Sequence, residues 1–142
     1  MNATLQNPKA QNGLRTHAVF MIVLLVLQYI LGMVANMYVQ FPDTTQPGQL
    51  WEFARTQFAT GAHILIGTLL VVGAIIFVIR AALQKSGGWI ASSVLGLISL
   101  LIAFFAGVTF VTFQVDAFSL VMALAFIAAF IAYGWGLFAT RK

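Results

Sequence analysis

Four long apolar segments, separated by short polar ones, dominate the sequence. They contain no Asp, Glu, Lys or Arg, and they cover residues 18–39, 60–79, 89–113 and 117–138. A helix rises about 1.5 Å per residue, so it needs roughly 20 residues to cross the hydrocarbon core of a bilayer, and each segment is long enough. The pattern predicts an all-α integral membrane four-helix bundle, with residues 1–17 as a cytoplasmic N-terminal tail and residues 18–142 as the membrane domain.

Composition argues against a soluble fold. Of the 142 residues, 61% are hydrophobic and 7% are charged, which is more apolar surface than a soluble domain of this length can bury. The basic residues behind the net charge of +4 are spread over several short segments, a pattern that favours membrane lipid and not nucleic acid as the partner. Cysteine is absent, which excludes disulfides, iron–sulfur ligation and a thiol nucleophile.

The charged residues predict the orientation of the bundle. Six of the seven basic residues lie in the N-terminal, second and C-terminal connections, whereas the three acidic residues lie in the first and third. Basic residues in short loops are retained on the cytoplasmic side. We therefore predict a multi-pass protein of the cell membrane with both termini cytoplasmic. Asp116, directly before the fourth span, is predicted to be the N-cap of that helix.

The first outer connection, residues 41–59, predicts a turn followed by a short helix. Residues 42–48 (PDTTQPG) have the composition of a turn. Apolar residues then recur at roughly helical spacing, at Leu50, Trp51, Phe53, Ala54 and Phe58. This pattern indicates a short interfacial helix that acts as an aromatic anchor. A lid over a site beneath it is the alternative interpretation.

Small residues at intervals of four predict close helix packing in the third and fourth spans. In the third span they are Ser92 with Gly96 and Ala103 with Gly107; in the fourth they are Ala125, Ala128, Ala129, Ala132 and Gly136.

Polar side chains within the spans predict a layer near the outer surface. His63 lies three residues inside the second span, Gln28 and Asn36 share one face of the first, and Thr109 and Thr112 close the third. Because unsatisfied polar groups are costly in lipid, we expect these side chains to face the bundle interior. One interpretation is purely structural, with His63 hydrogen-bonded to Asn36 or Thr109.

The other interpretation makes His63 a metal ligand. Gly67 and Ala74 follow it on the same face and would leave a flat strip beside the imidazole for a planar macrocycle such as haem. His17 is excluded as a second axial ligand, because helical rise places it roughly 25–30 Å away at the other end of the bundle. Met33 and Met37, one turn apart, would suit copper, but no third ligand converges on them.

The order of these features resembles one half of the haem A synthase family. Members join two four-helix halves, each with a histidine near the outer start of its second helix and another in its fourth. The residues that carry the resemblance are 30–34 (ILGMV), 51–53 (WEF), 61–63 (GAH), 105–108 (FAGV) and 120–126 (LVMALAF). The resemblance implies that His63 takes the place of the helix-two haem ligand, and that a single-half chain forms a homodimer or joins a larger membrane complex.

The chain departs from this family where the chemistry would occur. Ile64 stands where an arginine follows the histidine, Thr60 where the catalytic half has an acidic residue, and Ala125 at the helix-four histidine. Bis-histidine ligation and oxidation of a haem methyl group are therefore not expected. Met122, one turn from Ala125, is the other candidate ligand.

Two functions are consistent with these features. The first is a non-catalytic accessory or scaffold protein of a larger membrane assembly, derived from a haem-binding fold that lost its cofactor. The alternative is a small haem b-binding or haem-handling membrane protein with His63 as sole axial ligand and Gly67 in the cavity wall. No catalytic residues are predicted, since no ionisable carboxylate, lysine or arginine lies within a span to form a triad or a proton relay.

Overall fold

The computed structural model describes residues 8–42 and 46–140, which form four long helices and a short one. In chain order the helices are α1 (Pro8–Tyr38), α2 (Pro47–Thr56), α3 (Phe58–Leu83), α4 (Gly87–Phe113) and α5 (Asp116–Ala139). The described ranges contain no strand. Asp43, Arg141 and Lys142, on which the predicted orientation partly depends, lie outside the described residues, as do the first seven residues of the predicted tail.

The helices α1, α3, α4 and α5 are long and apolar enough to cross a membrane. They contain the four predicted apolar segments almost completely, so the prediction of an all-α protein with four candidate spans is confirmed. Two helices are longer than the sequence pattern indicates. Residues 8–17 continue α1, although a tail was predicted there, and α3 runs to Leu83, which places Arg80 in its last turn and not in a loop.

The long helices form a ring in which α1 packs against α3, α3 against α4, α4 against α5, and α5 against α1. The α4–α5 contact is the most extensive of the four and the α1–α5 contact the least. A short connection makes α4 and α5 neighbours in the ring. Gln114 ends α4 in the left-handed conformation, with φ 53° and ψ 36°, and α5 begins two residues later.

Small residues bring α4 and α5 together as the sequence predicts. Ser92 is fully buried, and its Oγ donates a hydrogen bond to the Ala132 carbonyl at 2.8 Å. Gly136 lies beside it, where a Cβ would overlap the Ser92 hydroxyl. Ala128 of the predicted set takes no part in this contact, because it is exposed on the outside of the ring.

We expect Gly136→Ala to destabilise the bundle. The added methyl group would collide with Ser92 and lie 3.0 Å from the Trp89 ring, and overpacking of this kind costs about 1–3 kcal/mol. Gly134→Ala is the matched control on the same helix, since nothing lies within 4 Å of its Cβ position. Thermal unfolding in detergent should show a lower Tm for Gly136→Ala and an equal or higher Tm for Gly134→Ala. An unchanged Tm for Gly136→Ala would contradict the close α4–α5 contact.

The larger of two packed cores lies toward one end of the bundle. Its fully or almost fully buried members are Leu14, Ala18, Met21, Leu25, Leu70, Ala74, Phe77, Ala81, Trp89, Leu100, Ala129 and Tyr133. By contrast, α1 has no buried residue between positions 26 and 38, and α3 has none between 61 and 69. We call the densely packed end the Arg80 end and the opposite, loosely packed end the His63 end.

The short helix α2 packs across the His63 end against α3 and α4. Leu50 and Ala54 are buried against Val111 of α4, and Trp51 Nε1 donates a hydrogen bond to Thr112 Oγ1 at 3.3 Å. The other side of α2 is exposed and carries Gln49, Glu52 and Arg55. The short helix that the sequence predicts in this connection is therefore present.

Candidate functional site

A cavity of about 620 Å³ lies at the His63 end, between α1, α3, α4 and α5. Ordinary ligand pockets occupy roughly 300–1,000 Å³ and have mostly apolar walls with a few polar groups. This cavity fits that description. Most of its walls are apolar, and the polar residues among them are Gln28, Asn36, His63, Asp116 and Ser119.

Small residues on three helices lie in the walls of this space. Gly32 of α1, Gly67 of α3, and Ala103 and Gly107 of α4 all line the cavity. Aromatic rings supply much of the remaining wall, and Tyr29 stacks on Phe126 across the α1–α5 seam with 5.5 Å between ring centroids. The least extensive helix contact of the ring therefore borders the cavity.

A backbone hydrogen bond holds His63 in the cavity wall. Its Nδ1 lies 3.1 Å from the carbonyl oxygen of Gln28, and because a carbonyl can only accept, Nδ1 carries the proton. In a neutral imidazole, Nε2 then keeps its lone pair. Nε2 has no hydrogen-bond partner among the described residues, so this atom is free to bind a metal ion or to accept a hydrogen bond.

Gly32 sets how closely the imidazole approaches α1. A Cβ at this position would lie 2.9 Å from His63 Cε1 and 3.3 Å from Nδ1. The Gln28 carbonyl is also the acceptor for the Gly32 N–H one helical turn later, so it accepts from both groups. The imidazole therefore lies directly against the backbone of α1, which only a glycine allows.

The predicted hydrogen-bond partners of His63 are wrong. Asn36 lines the cavity without bonding to His63, and Thr109 donates to the Phe105 carbonyl of its own helix at 2.8 Å. A threonine in a helix can satisfy its hydroxyl on the carbonyl four residues earlier, so it needs no partner on another helix. The actual partner is the Gln28 carbonyl. Gly32 is the residue in the sequence that indicates it, because a glycine lets a side chain from another helix approach the backbone of α1 closely.

The flat strip predicted along Gly67 and Ala74 is not free space. The Gln28 amide lies across Gly67, with Nε2 3.0 Å from the position of a Cβ there. Ala74 is fully buried in the core at the Arg80 end and does not line the cavity. The cavity wall beside His63 is thus formed by the Gln28 carboxamide, which lies on Gly67. The oxygen of this carboxamide is buried and accepts no hydrogen bond from the described residues.

The second candidate ligand, Met122, also lines the cavity, and its sulfur lies 3.3 Å from the position of a Cβ at Gly107. Ala125, at the position where the resemblance to the haem A synthase family would place a second histidine, is buried and does not line the cavity. Within residues 8–42 and 46–140, no group of three or more His, Cys, Asp or Glu side chains could hold a metal ion. His63 is the one histidine among the described residues that line the cavity, so a metal bound there would have a single imidazole ligand from this chain.

Asp116 does not cap α5 as predicted. The N-cap is Val115, without a side-chain hydrogen bond, and Asp116 occupies the first turn, where it lines the cavity. The short connection explains the shift, because Gln114 already ends α4 and the following residue must take the N-cap position. A carboxylate in the first turn still interacts favourably with the helix dipole.

Comparison of the chain with models of known protein families, with curated proteins and with solved structures found no match. The resemblance to the haem A synthase family therefore stays a prediction from the sequence. The fold and the cavity define the class of this protein: a helical bundle with four helices of membrane-spanning length and an apolar cavity at one end.

Proposed function

We propose that this protein binds haem b in the cavity at the His63 end, with His63 Nε2 as the sole axial ligand from the chain. The observation that supports the proposal is the hydrogen bond from His63 Nδ1 to the Gln28 carbonyl. Histidines that bind a metal commonly donate their other ring N–H to a carbonyl or carboxylate, which orients the ring and makes it a better ligand. The same bond leaves Nε2 with a lone pair and no described partner.

The cavity suits a largely apolar, planar ligand. Its volume is about 620 Å³, and the side chains of Tyr29, Phe104, Phe110 and Phe126 line it. Bound haem would supply an iron able to bind small exogenous ligands, and His63 would hold it, because no second imidazole lines the described cavity. The chain itself contributes the Gln28 carbonyl, which fixes the ring of His63, and the apolar walls, which exclude water.

The proposal includes an orientation in the cell membrane. Arg15, Arg80 and Lys85 lie at the Arg80 end, whereas Glu52 and Asp116 lie at the His63 end. The positive-inside rule then places the Arg80 end and both termini in the cytoplasm, and the cavity in the outer half of the membrane. Arg55, on the exposed side of α2, is the basic exception.

The absorbance spectrum of detergent-purified protein tests this function. Protein produced in cells with excess haem should show a Soret band whose shape is that of high-spin iron with one protein ligand, because only His63 supplies an imidazole. A low-spin spectrum typical of two imidazole ligands would contradict the assignment of His63 as sole ligand. A colourless protein with intact helical circular dichroism would contradict haem binding altogether.

A non-catalytic accessory or scaffold role is the second candidate function. The Gln28 amide favours it, since this side chain lies across Gly67 where a macrocycle would need a flat surface. In that case the bundle would act as a homodimer or as part of a larger membrane complex. Helical, colourless protein that co-purifies with partner subunits is the result expected for this function.

A further inference from the structure

A second polar site lies at the Arg80 end, between α1 and α3. Arg80 Nη1 donates a hydrogen bond to His17 Nδ1 at 3.0 Å, and His17 Nε2 donates to the Gly73 carbonyl at 3.1 Å. The imidazole stacks on Phe77, with 4.6 Å between ring centroids and 14° between the planes. His17 is therefore half-buried between α1 and α3. It is a fixed acceptor that holds the guanidinium of Arg80 in place.

The backbone of α1 makes room for this guanidinium at Gly13. A Cβ at Gly13 would lie 2.9 Å from Arg80 Nη2, so any larger residue would displace the Arg80 side chain. Arg80 is half-buried as a result. A cation in a partly buried position is costly unless it is paired.

The described residues offer Arg80 no acidic partner at this end. Glu52 belongs to α2 and Asp116 begins α5, so both lie at the opposite end of the bundle. Arg15 and Lys85 add further positive charge at the Arg80 end. A guanidinium carries five N–H donors, and the neutral His17 ring accepts only one hydrogen bond from them. The site therefore has more hydrogen-bond donors than acceptors and a positive charge that no described carboxylate balances. An anion from outside the chain would supply both the acceptors and the negative charge.

We propose that Arg80, oriented by His17 and Gly13, binds the phosphate of an anionic lipid headgroup. Guanidinium groups bind phosphate oxygens through two parallel hydrogen bonds. Arg80 lies in the last turn of an apolar helix of membrane-spanning length, which is the level at which headgroups meet the hydrocarbon core. Basic residues at this level attract anionic lipids. This site is independent of the cavity and of its ligand.

Native mass spectrometry of the full chain in detergent, titrated with phosphatidylglycerol, tests the proposal. Arg80→Gln should weaken binding of the first lipid on the order of five-fold or more, the equivalent of one interfacial charge contact. Arg15→Gln removes the same charge at the same end from a residue with no bond to His17, and we expect it to weaken binding less than Arg80→Gln does, because it removes only general attraction and no paired hydrogen bonds to the phosphate. Equal losses for the two variants would overturn the site, because they would indicate only general attraction to positive charge.

The same titration with other ligands distinguishes an anionic lipid from a neutral lipid and from free phosphate. Phosphatidylcholine, whose headgroup has no net charge, should bind more weakly than phosphatidylglycerol, and equal binding would overturn the preference for an anionic lipid. Inorganic phosphate at the same concentration should not compete, and full competition would overturn the assignment to a lipid. If circular dichroism shows that Arg80→Gln does not fold, Arg80→Lys decides the question. Lysine keeps the charge but not the paired planar donors, so affinity equal to that of the wild type would overturn the proposed pairing.

Discussion

His63→Ala is expected to lower the affinity for haem by at least about 100-fold, because loss of even an outer-shell partner of a metal ligand costs about 10–100-fold and His63 is the proposed ligand itself. The substitution removes Nε2, the ring nitrogen that the Gln28 hydrogen bond leaves available. Titration of the purified variant with haemin, followed at the Soret band, measures the loss. The imidazole is partly exposed to the cavity and not part of the packed core, so we expect the variant to fold.

Two control variants make this result specific. Asn36→Ala changes a polar residue of the same cavity that does not bond to His63, and it should keep most of the affinity. His17→Ala removes the other histidine, which binds Arg80 and the Gly73 carbonyl at the opposite end. A Soret band that persists in His63→Ala and disappears in His17→Ala would show that the wrong histidine has been assigned.

Phe77→Ala is expected to be among the most destabilising single substitutions in the chain. Phe77 is fully buried, and its ring lies 4.6 Å from that of His17 and 5.8 Å from those of Trp89 and Tyr133. Removal of a phenylalanine from a packed core costs roughly 3–5 kcal/mol. Unfolding by a denaturing detergent in mixed micelles, followed by circular dichroism, measures the change in the free energy of unfolding.

Phe105→Ala is the matched control for this measurement. Phe105 belongs to α4 near the His63 end and is 63% exposed on the outside of the bundle, so the same chemical change should cost about 0.5 kcal/mol or less. Comparable losses for the two variants would contradict the packing of Phe77 into the core at the Arg80 end.

The four spans could be predicted from the sequence because an uninterrupted apolar segment of 20 or more residues is typical of a membrane-spanning helix and of few other structures. Helix ends could not be predicted as well. The hydropathy pattern predicts that Arg80 lies in a loop. It lies in α3 instead, because His17 of α1 accepts its hydrogen bond and Gly13 leaves space for its guanidinium. Contacts of this kind depend on how two helices are aligned, and the sequence of either helix alone does not specify that alignment.

The candidate site was predictable only in part for a similar reason. His63 could be recognised because a histidine within an apolar span needs a polar partner. Its partner is the Gln28 carbonyl, a backbone atom that every residue has, so the residue type gives no signal for it. Gly67 likewise predicts open space beside His63 when α3 is considered alone. In the assembled bundle the Gln28 side chain of α1 lies across it.

We propose that the cavity beside His63 holds a single haem bound through Nε2. A titration of the ligand-free wild-type protein with haemin in detergent, with the Soret absorbance measured at each addition, tests it most directly. We predict a saturable change that ends at one haem per chain. An absorbance that rises in proportion to added haemin, without an end point and without a shift from the spectrum of haemin in detergent alone, would contradict it.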